Sequence, residues 1–576
     1  MSDPRDRMSG PAPGRGYGRR DFLRAGGLAG FGLGLDPGLS RLLGAEPRVP
    51  EIGRDAGSRR GRVQHLTILH TSDLHGQVDV HDEFFWEEGR PVFRKRGGLG
   101  TLRTMINAIR KEAPGTVLLV DGGDTIHGSA LAALSEGRAI VSLLNRLEYD
   151  LLLPGNWEVV YGKDAMLRDL RMYRAAKVCA NMFHDEVGLR RLLFPPYQVF
   201  NLGGTRVGFI GYTDPLTATR QSPAYSRGIR FSRPEESLGR YVRILRREHG
   251  CALVFVLSHL GLTQQLNLAS QASASGVDYV LGGDTHERTR EPLQGRFARV
   301  TEPGAFGSFL GRLDLVLEDG RVREETYRLL EVDPDRYPED AEMRALIAAA
   351  KAPYQAELGR VVGRTTTPLY RYYVLETPLD NLITDALHWR FRTDFVVSNG
   401  FRFCPPLAPG PDGSADITRE YLWSVLPVDA EVKTAEVTGT QIREWLEREL
   451  ENVFAAEAAN RFGGWLVRFK GMAITFRIRA PTGSRLQEVT IGGRPLEPGR
   501  VYSMLACERE GDPENVLCRL RGVSAPRRLE VSLHEALTEY LQRFSPVSPD
   551  IEGRAVAVDA PARLLSQVEG TGYRFR

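Results

Sequence analysis

Cysteine is scarce in this chain: five residues in 576, at positions 179, 251, 404, 507 and 518, with no C-x-x-C pair among them. That excludes a zinc knuckle and a disulfide framework, and leaves open at most a single pairing such as Cys507 with Cys518. An excess of one charge is lacking as well, since 76 Lys and Arg against 73 Asp and Glu leave a net charge of +3. No Lys/Arg block gathers into a patch, which excludes nucleic acid as a partner class. Long apolar runs are absent too. The glycine-rich stretch Ala25 to Leu35 falls short of the ~20 residues that span a bilayer, so no membrane span is expected.

What is present is the composition of a globular protein, 42% apolar and 26% charged. The length fits two substantial domains. Near the start, Gly18-Arg19-Arg20-Asp21-Phe22-Leu23-Arg24 sets twin arginines before the weakly apolar stretch, the pattern of a twin-arginine export signal. Residues 1–64 therefore read as signal and linker, and the protein is expected in the periplasm or otherwise exported. That route carries folded proteins, which suits an enzyme that loads metal before leaving the cytoplasm.

From Leu66 onward short apolar strands alternate with amphipathic helices. Leu66 to His70, Thr116 to Val120, Asp150 to Leu153, Arg206 to Tyr212, Ala252 to Ser258 and Val277 to Leu281 are strand candidates. Leu99 to Lys111, Ala130 to Leu147, Glu235 to His249 and Thr263 to Ser273 are helical. This is an α/β plan over 65–337, with a helical connector, Pro338 to Val361, inside a linker at 338–364. A second, α+β domain follows over 365–576, with helices at Leu379 to Trp389 and Gln441 to Phe454.

Polar residues cluster where the first domain's strands end, and loops at the carboxyl ends of strands form the binding crevice of α/β sheets. Asp73-x-His75, Gly123-Asp124, Gly155-Asn156, Ser258-His259 and Gly282-Gly283-Asp284-Thr285-His286 supply oxygen and nitrogen donors in that order. Adjacent glycines let the backbone approach an ion closely. A shared carboxylate, Asp124 by position, can bridge two divalent ions about 3.5–4 Å apart, an arrangement that polarises an oxyanion and activates water near neutral pH.

The order D-x-H, G-D, G-N, H, G-G-x-x-H resembles the calcineurin-like metallophosphoesterases and, with the second domain, the 5'-nucleotidase superfamily. The resemblance extends into Leu379-Asp380-Asn381-Leu382-Ile383-Thr384-Asp385-Ala386 and Asn399-Gly400-Phe401-Arg402. It implies a four-layer α/β/β/α sandwich carrying two divalent ions, with a C-terminal substrate-recognition domain. Asp73, His75, Asp124 and His286 would surround one ion, and Asp124, Asn156, His259 and Asp284 the other. Arg402, with Asn399 and Gly400, would contact the anionic group of the substrate. Glu158 is expected to orient Asn156.

The chain departs from the nucleotidase pattern at the turn those enzymes write Asn-His-Glu-Phe-Asp, where His and Asp assist the leaving group. Trp157 and Val160 stand there instead. The two phenylalanine platforms for the base are also missing, their turns reading Leu426-Pro427-Val428-Asp429 and Cys507-Glu508-Arg509-Glu510-Gly511-Asp512. Base–aromatic stacking is worth about 1–3 kcal/mol per base, so nucleotide binding should suffer. Trp-Glu in this turn, the Ser-x-Gly-Phe-Arg loop and the export signal together resemble the SoxB thiosulfohydrolases. That resemblance implies two manganese ions, a cysteine S-thiosulfonate on a SoxYZ carrier as substrate, and sulfate as product. A departing alkoxide is strongly basic and benefits from a proton, whereas a thiol ionises near pH 8.5, so sulfur leaves with far less help.

The SoxB family writes His where Asn156 and Asp284 stand. A third anionic ligand beside Asp73 and Asp124 favours an oxygen-preferring ion such as Mn²⁺ and raises the pKa of bound water. Activity at neutral pH is then expected to be lower than in an Asp284→His variant. His127, three residues past Asp124, is a candidate replacement acid. Phosphomonoester or nucleotide hydrolysis is the alternative activity, and a metal- and anion-binding protein without turnover is the alternative outside enzymes.

Overall fold

The computed structural model describes residues 52–54, 63–186, 191–398, 404–461 and 465–565. The twin-arginine stretch and the loop holding Asn399, Gly400 and Arg402 lie outside the described residues. Alternating apolar side chains build the first domain. Along the strand Thr205–Thr213, Val207 and Phe209 point to a core shared with Leu66, Ile68 and Leu118 of another sheet, while Ile210 and Tyr212 pack with Leu238 and Leu245 of a covering helical segment. Leu253–His259 repeats the pattern, with Phe255 and Leu257 on one side and Val254 and Val256 on the other. A period of two with both faces apolar is a sheet sandwiched between a second sheet and helices.

The first sheet places Tyr197–Leu202, Thr205–Thr213, Leu253–His259, Tyr279–Gly282 and Arg299–Thr301 in that spatial order, the last three junctions parallel. The second runs Arg321–Glu331, Phe309–Glu318, Val63–Thr71, Thr116–Asp121, Leu151–Leu152, Ala176–Lys177. Between them Phe255 stacks on Phe209 at 4.8 Å and on Tyr279 at 5.2 Å. Outside the second sheet the helix Leu99–Glu112 buries Leu99, Leu102, Met105, Ile106 and Ile109, one face at helical spacing. Each such side chain contributes about 1.5–3 kcal/mol on burial. The result is the four-layer α/β/β/α arrangement. Its register aligns Thr71 with Asp121 and Thr213 with His259, which brings the polar ends of both sheets to one edge.

Three helices differ from expectation, the one expected over Glu235 to His249 being a 3-10 turn at Pro234–Glu236, an α-helix at Leu238–Arg243 and a π-helical turn at Ile244–Glu248. The one expected over Ala130 to Leu147 is two, Ala130–Ser135 and Arg138–Leu144, because Glu136 and Gly137 turn left-handed with φ of 50° and 87°. Gly137 adopts that conformation without a Cβ penalty. The connector stops at Leu358, and Val361–Thr365, rich in β-branched residues, instead pairs antiparallel with Ala415–Thr418.

In the second domain a five-stranded sheet, Arg468–Lys470, Phe395–Ser398, Val501–Cys507, Glu431–Thr438, Ser524–Ser532, lies beside a smaller four-stranded one. The helix Gly439–Phe454 starts at a Thr438/Gln441 capping box and buries Trp445, whose indole N–H donates to Cys518 O at 3.1 Å. All five cysteines are free thiols, so Cys507 and Cys518 are not bridged. The domains are locked together by Glu83, which accepts from Arg288 at 2.5 Å and from the Tyr372 hydroxyl at 2.7 Å, all three buried. Among the described residues no helix is long and apolar enough to cross a membrane.

Candidate metal centre

The loops at the shared edge carry their functional side chains on unusual backbone. Asp73, His75, Asp124, Asp284 and His286 all have positive φ, at 55°, 48°, 54°, 84° and 60°. Such turns are held by neighbouring loops: Asp73 N donates to Gly123 O at 2.8 Å, His75 N to Asp124 O at 2.9 Å, and Phe306 N to Asp73 O at 2.8 Å. Two glycines make the approach possible. A Cβ on Gly155 would lie 2.3 Å from Asp124 Oδ1, and one on Gly283 would lie 2.0 Å from Ser72 Oγ and 2.9 Å from Asp73 Oδ2.

These turns bring Asp73, His75 and His286 together as one group able to hold an ion, and Asp73, Asp124 and His259 as a second. Asp73 belongs to both. Its Oδ1 lies 3.4 Å from His286 Nε2, 3.9 Å from His75 Nε2 and 3.8 Å from His259 Nε2. Asp124 Oδ2 lies 3.1 Å from His259 Nε2 and 4.0 Å from His75 Nε2.

Ring nitrogens supply a test of whether ions fit here. His259 Nδ1 faces Gly122 O at 2.8 Å and so carries a proton there, which leaves its buried Nε2, 3.1 Å from Asp124 Oδ2, as the nitrogen turned toward the carboxylates. His75 Nδ1 likewise faces His127 O at 3.0 Å, and its Nε2 stands 3.0 Å from His286 Nε2. Ring nitrogens and carboxylate oxygens converging in a buried site form the donor set that divalent ions take. The carbonyl partners fix ring orientation, as partners behind metal-bound histidines do.

The electrostatics agree. Burial, and then the neighbouring His286, lower His75 to about 3, which keeps it neutral. Burial works to raise the Asp73 carboxyl, but His259, His286 and His75 around it hold it well below the usual carboxylate range. Burial also opposes charge on His259, yet Asp124 and Asp73 together raise that imidazole well above its ordinary value. A divalent ion supplies the positive charge this pocket attracts.

The remaining residues named from the sequence are placed differently from one another. Asn156 and Asp284 are joined, Asn156 Nδ2 donating to Asp284 Oδ1 at 2.8 Å, and Asn156 Oδ1 accepts from Gln221 Nε2 at 2.8 Å. Glu158 does not orient the Asn156 side chain. Its carboxylate accepts from the backbone N–H groups of Asp124, Thr125, Ile126 and Gly155 at 2.6–3.2 Å, clamping two loops, because a buried carboxylate takes whatever donors the turns leave unpaired. Trp157 N donates to Asp124 Oδ1 at 2.8 Å, and its ring stacks on His127 with centroids 5.0 Å apart. Trp157 also packs in an apolar cluster with Val160, Tyr161, Tyr225 and, from the second domain, Val428. His127 Nδ1 lies 2.9 Å from the Tyr161 hydroxyl.

Sequence reasoning missed the loop after Thr205–Thr213. It bears Asp214, Arg220 and Gln221, with the Arg220 guanidinium 3.1 Å from Asp284 and 2.9 Å from Asp214. The strand-end rule that found the other loops also points to this one. Arg509, in the turn Cys507 to Asp512, donates to Thr219 O at 3.0 Å and to Gln221 O. A cavity of about 250 Å³ lies at the domain boundary, running from Gly76 and Gln77, beside His75, to Tyr421 and Ser424.

Comparison with known proteins places this geometry among relatives. Residues 66–288 match the calcineurin-like phosphoesterase family and residues 361–506 the 5'-nucleotidase C-terminal domain. Snake venom 5'-nucleotidase from Crotalus adamanteus is 24% identical over 545 residues, covering 85% of this chain and 88% of that protein. Protein UshA of Escherichia coli is 21% identical, covering 84% and 92%. Among solved structures, the sulfate thiohydrolase SoxB of Thermus thermophilus, in complex with glycerol, superposes with a TM-score of 0.78 at 26% identity, over 89% of this chain and 99% of that one. A 5'-nucleotidase precursor from Thermus thermophilus superposes at 0.74 with 24% identity, over 86% of this chain and all of the other.

Proposed function

We infer, for a chain that belongs to the 5'-nucleotidase superfamily of two-domain metallophosphoesterases, a SoxB-like thiosulfohydrolase activity. The chain is a metal-dependent hydrolase by family, and the narrower reading concerns the bond it cleaves. Residues 65–337 would carry the ions and 365–576 recognise the substrate, in a protein exported behind its twin-arginine stretch. Asp73, His75, Asp124, His259 and His286 would hold two divalent ions, manganese on this reading, with Asn156 and Asp284 beside them bonded to each other. When bound, these ions supply Lewis-acid charge for the attacking water and the anionic group.

One observation carries the choice of bond: Trp157 stands where a nucleotidase keeps its proton donor, stacked on His127 and packed with Val428. In the reaction the water oxygen adds to the terminal sulfonyl sulfur of a cysteine S-thiosulfonate. The bond between the sulfonyl sulfur and its sulfur neighbour breaks, the electron pair leaves on that neighbour as a carrier persulfide, the two protons of water pass to solvent, and the sulfonyl group departs as sulfate. Sulfur holds that pair without a proton, so an apolar Trp157 suffices where an alkoxide would need an acid. The backbone N–H of Trp157 meanwhile fixes Asp124 Oδ1. Arg509 bonded to the first domain, in place of a stacking aromatic, argues in the same direction against a nucleobase.

Phosphomonoester hydrolysis is the second reading, favoured by the 5'-nucleotidase names of the relatives and by Asn156, the residue nucleotidases use. Manganese-loaded protein given AMP and, separately, a cysteine S-thiosulfonate peptide decides between them. We expect sulfate from the peptide and little phosphate from AMP. Phosphate alone overturns the proposal in favour of a phosphatase, and neither product points to a binding protein.

A further inference from the structure

The short helix Thr217–Arg220 ends with its last side chain turned into the metal centre. Arg220 Nη1 donates to Asp284 Oδ2 and Nη2 to Asp284 Oδ1, both at 3.1 Å, a side-on pair that uses both oxygens. Nη1 also reaches Asp214 Oδ2 at 2.9 Å. Asp284 Oδ1 takes a further bond from Asn156 Nδ2, while Gln221 Nε2 occupies Asn156 Oδ1, both at 2.8 Å. The second domain anchors this segment: Arg509 donates to Thr219 O and Gln221 O, and the Ser222 hydroxyl donates to Glu510 O. Arg220 is therefore held in place from behind.

A carboxylate has about four lone-pair directions, and three bonds to Asp284 are accounted for by Arg220 and Asn156. The opposite side of the cage differs. Asp73, His75 and His286 face one another, and among the described residues the ion pairs of Asp73 are with histidines. A guanidinium beside Asp284 both occupies its oxygens and repels a dication approaching them.

Resting on the two-ion reading above, we propose that Arg220 is a positioning residue that competes with a metal ion for Asp284 and so makes the two ion positions unequal. The ion at Asp73, His75 and His286 is the tightly held one. Its neighbour, at Asp73, Asp124 and His259, gains little from Asp284 and is the exchangeable one. The segment around Arg220 is anchored by Arg509, so the second domain helps set how readily that ion exchanges.

Manganese chloride titrated into the metal-stripped full chain, followed by calorimetry and by the electron paramagnetic resonance of bound Mn²⁺, reads the two affinities separately. Wild type should hold two ions differing at least about tenfold in Kd. Arg220→Gln should tighten the weaker ion about tenfold or more, the worth of a charged hydrogen bond, and leave the tighter one within about threefold. Asp284→Asn should leave the weaker ion within about threefold, and the double variant should show no tightening over Asp284→Asn. Asp214→Asn, which removes the carboxylate that shares Arg220, should weaken that ion, an opposite shift that keeps the idea testable if Arg220→Gln folds poorly. Loss of the weaker ion in Asp284→Asn, or Arg220→Gln leaving both affinities unchanged, overturns the inference while the two-ion reading stands. Failure of both wild type and Arg220→Gln to bind any ion overturns both.

Discussion

Replacing Trp157 with histidine puts a proton donor back where the nucleotidases have one. General acid assistance contributes about 10²–10⁴ in rate, or about 3–5 kcal/mol of barrier, when the acid is oriented. In this chain Val160, which packs in the same cluster as Trp157, stands where the orienting aspartate would be. Trp157→His alone should therefore recover only part of the effect, about tenfold in phosphate release from AMP, and Trp157→His with Val160→Asp about a hundredfold. Turnover of the cysteine S-thiosulfonate peptide should change by less than about threefold, since its leaving sulfur needs no proton. Trp157 is 9% exposed, so losing its ring should also cost about 1–3 kcal/mol of stability. Parallel phosphate and sulfate assays with a thermal melt separate these terms. If the folded single variant loses a hundredfold on the peptide, or the double variant gains nothing on AMP, the leaving-group argument is wrong.

Asp380, part of the stretch that resembles the nucleotidase second domain, should prove structural. It is buried and accepts from Arg371 Nε and Arg468 Nε at 3.0 Å each, so Asp380→Ala strands two buried guanidinium groups and should lower stability by about 3–5 kcal/mol in urea unfolding; a loss below about 1 kcal/mol would contradict this. Burial raises the Asp121 carboxyl to about 7, against the Thr125 hydroxyl and Gly123 N–H that favour its charge. Its native pKa lies above its unfolded one, so the native state binds the proton more tightly and stability of the metal-stripped protein should fall as pH rises from about 4 to about 7, by a few kcal/mol. Asp121→Asn should flatten that slope in melts across the range, and an unchanged slope would exclude Asp121 as its source.

The candidate ligands Asp73, His75, Asp124, His259 and His286 could be picked out because each lies at the end of a buried strand, and a parallel sheet delivers strand ends to one edge. The alternation that assigns Thr205–Thr213 and Leu253–His259 to a doubly covered sheet was legible for the same reason. Arg220 was not. It sits on a single helical turn with no motif, and its partner Asp284 is 64 residues away along the chain. Glu158 was misjudged because a carboxylate's acceptors depend on which backbone N–H groups the loops leave unpaired, which spacing does not encode. The break at Glu136 was missed because the apolar period continues across it while the backbone reverses.

The left-handed turns show how the backbone gathers the candidate ligands. A non-glycine residue in that region costs roughly 1–2 kcal/mol, and five such residues meet here: Asp73, His75, Asp124, Asp284 and His286. Asp and His tolerate the conformation better than branched residues, and reciprocal loop bonds such as Asp73 N to Gly123 O hold them in it. Each turn swings its side chain toward a common point, so backbone strain and carboxylate repulsion accumulate in one small volume. Arg220 offsets part of that repulsion at Asp284, and histidines offset part of it at Asp73 and Asp124. Ions bound there would stabilise the folded chain by RT ln(1 + [L]/Kd). Backbone strain is thus concentrated on residues that face one another across the candidate metal centre.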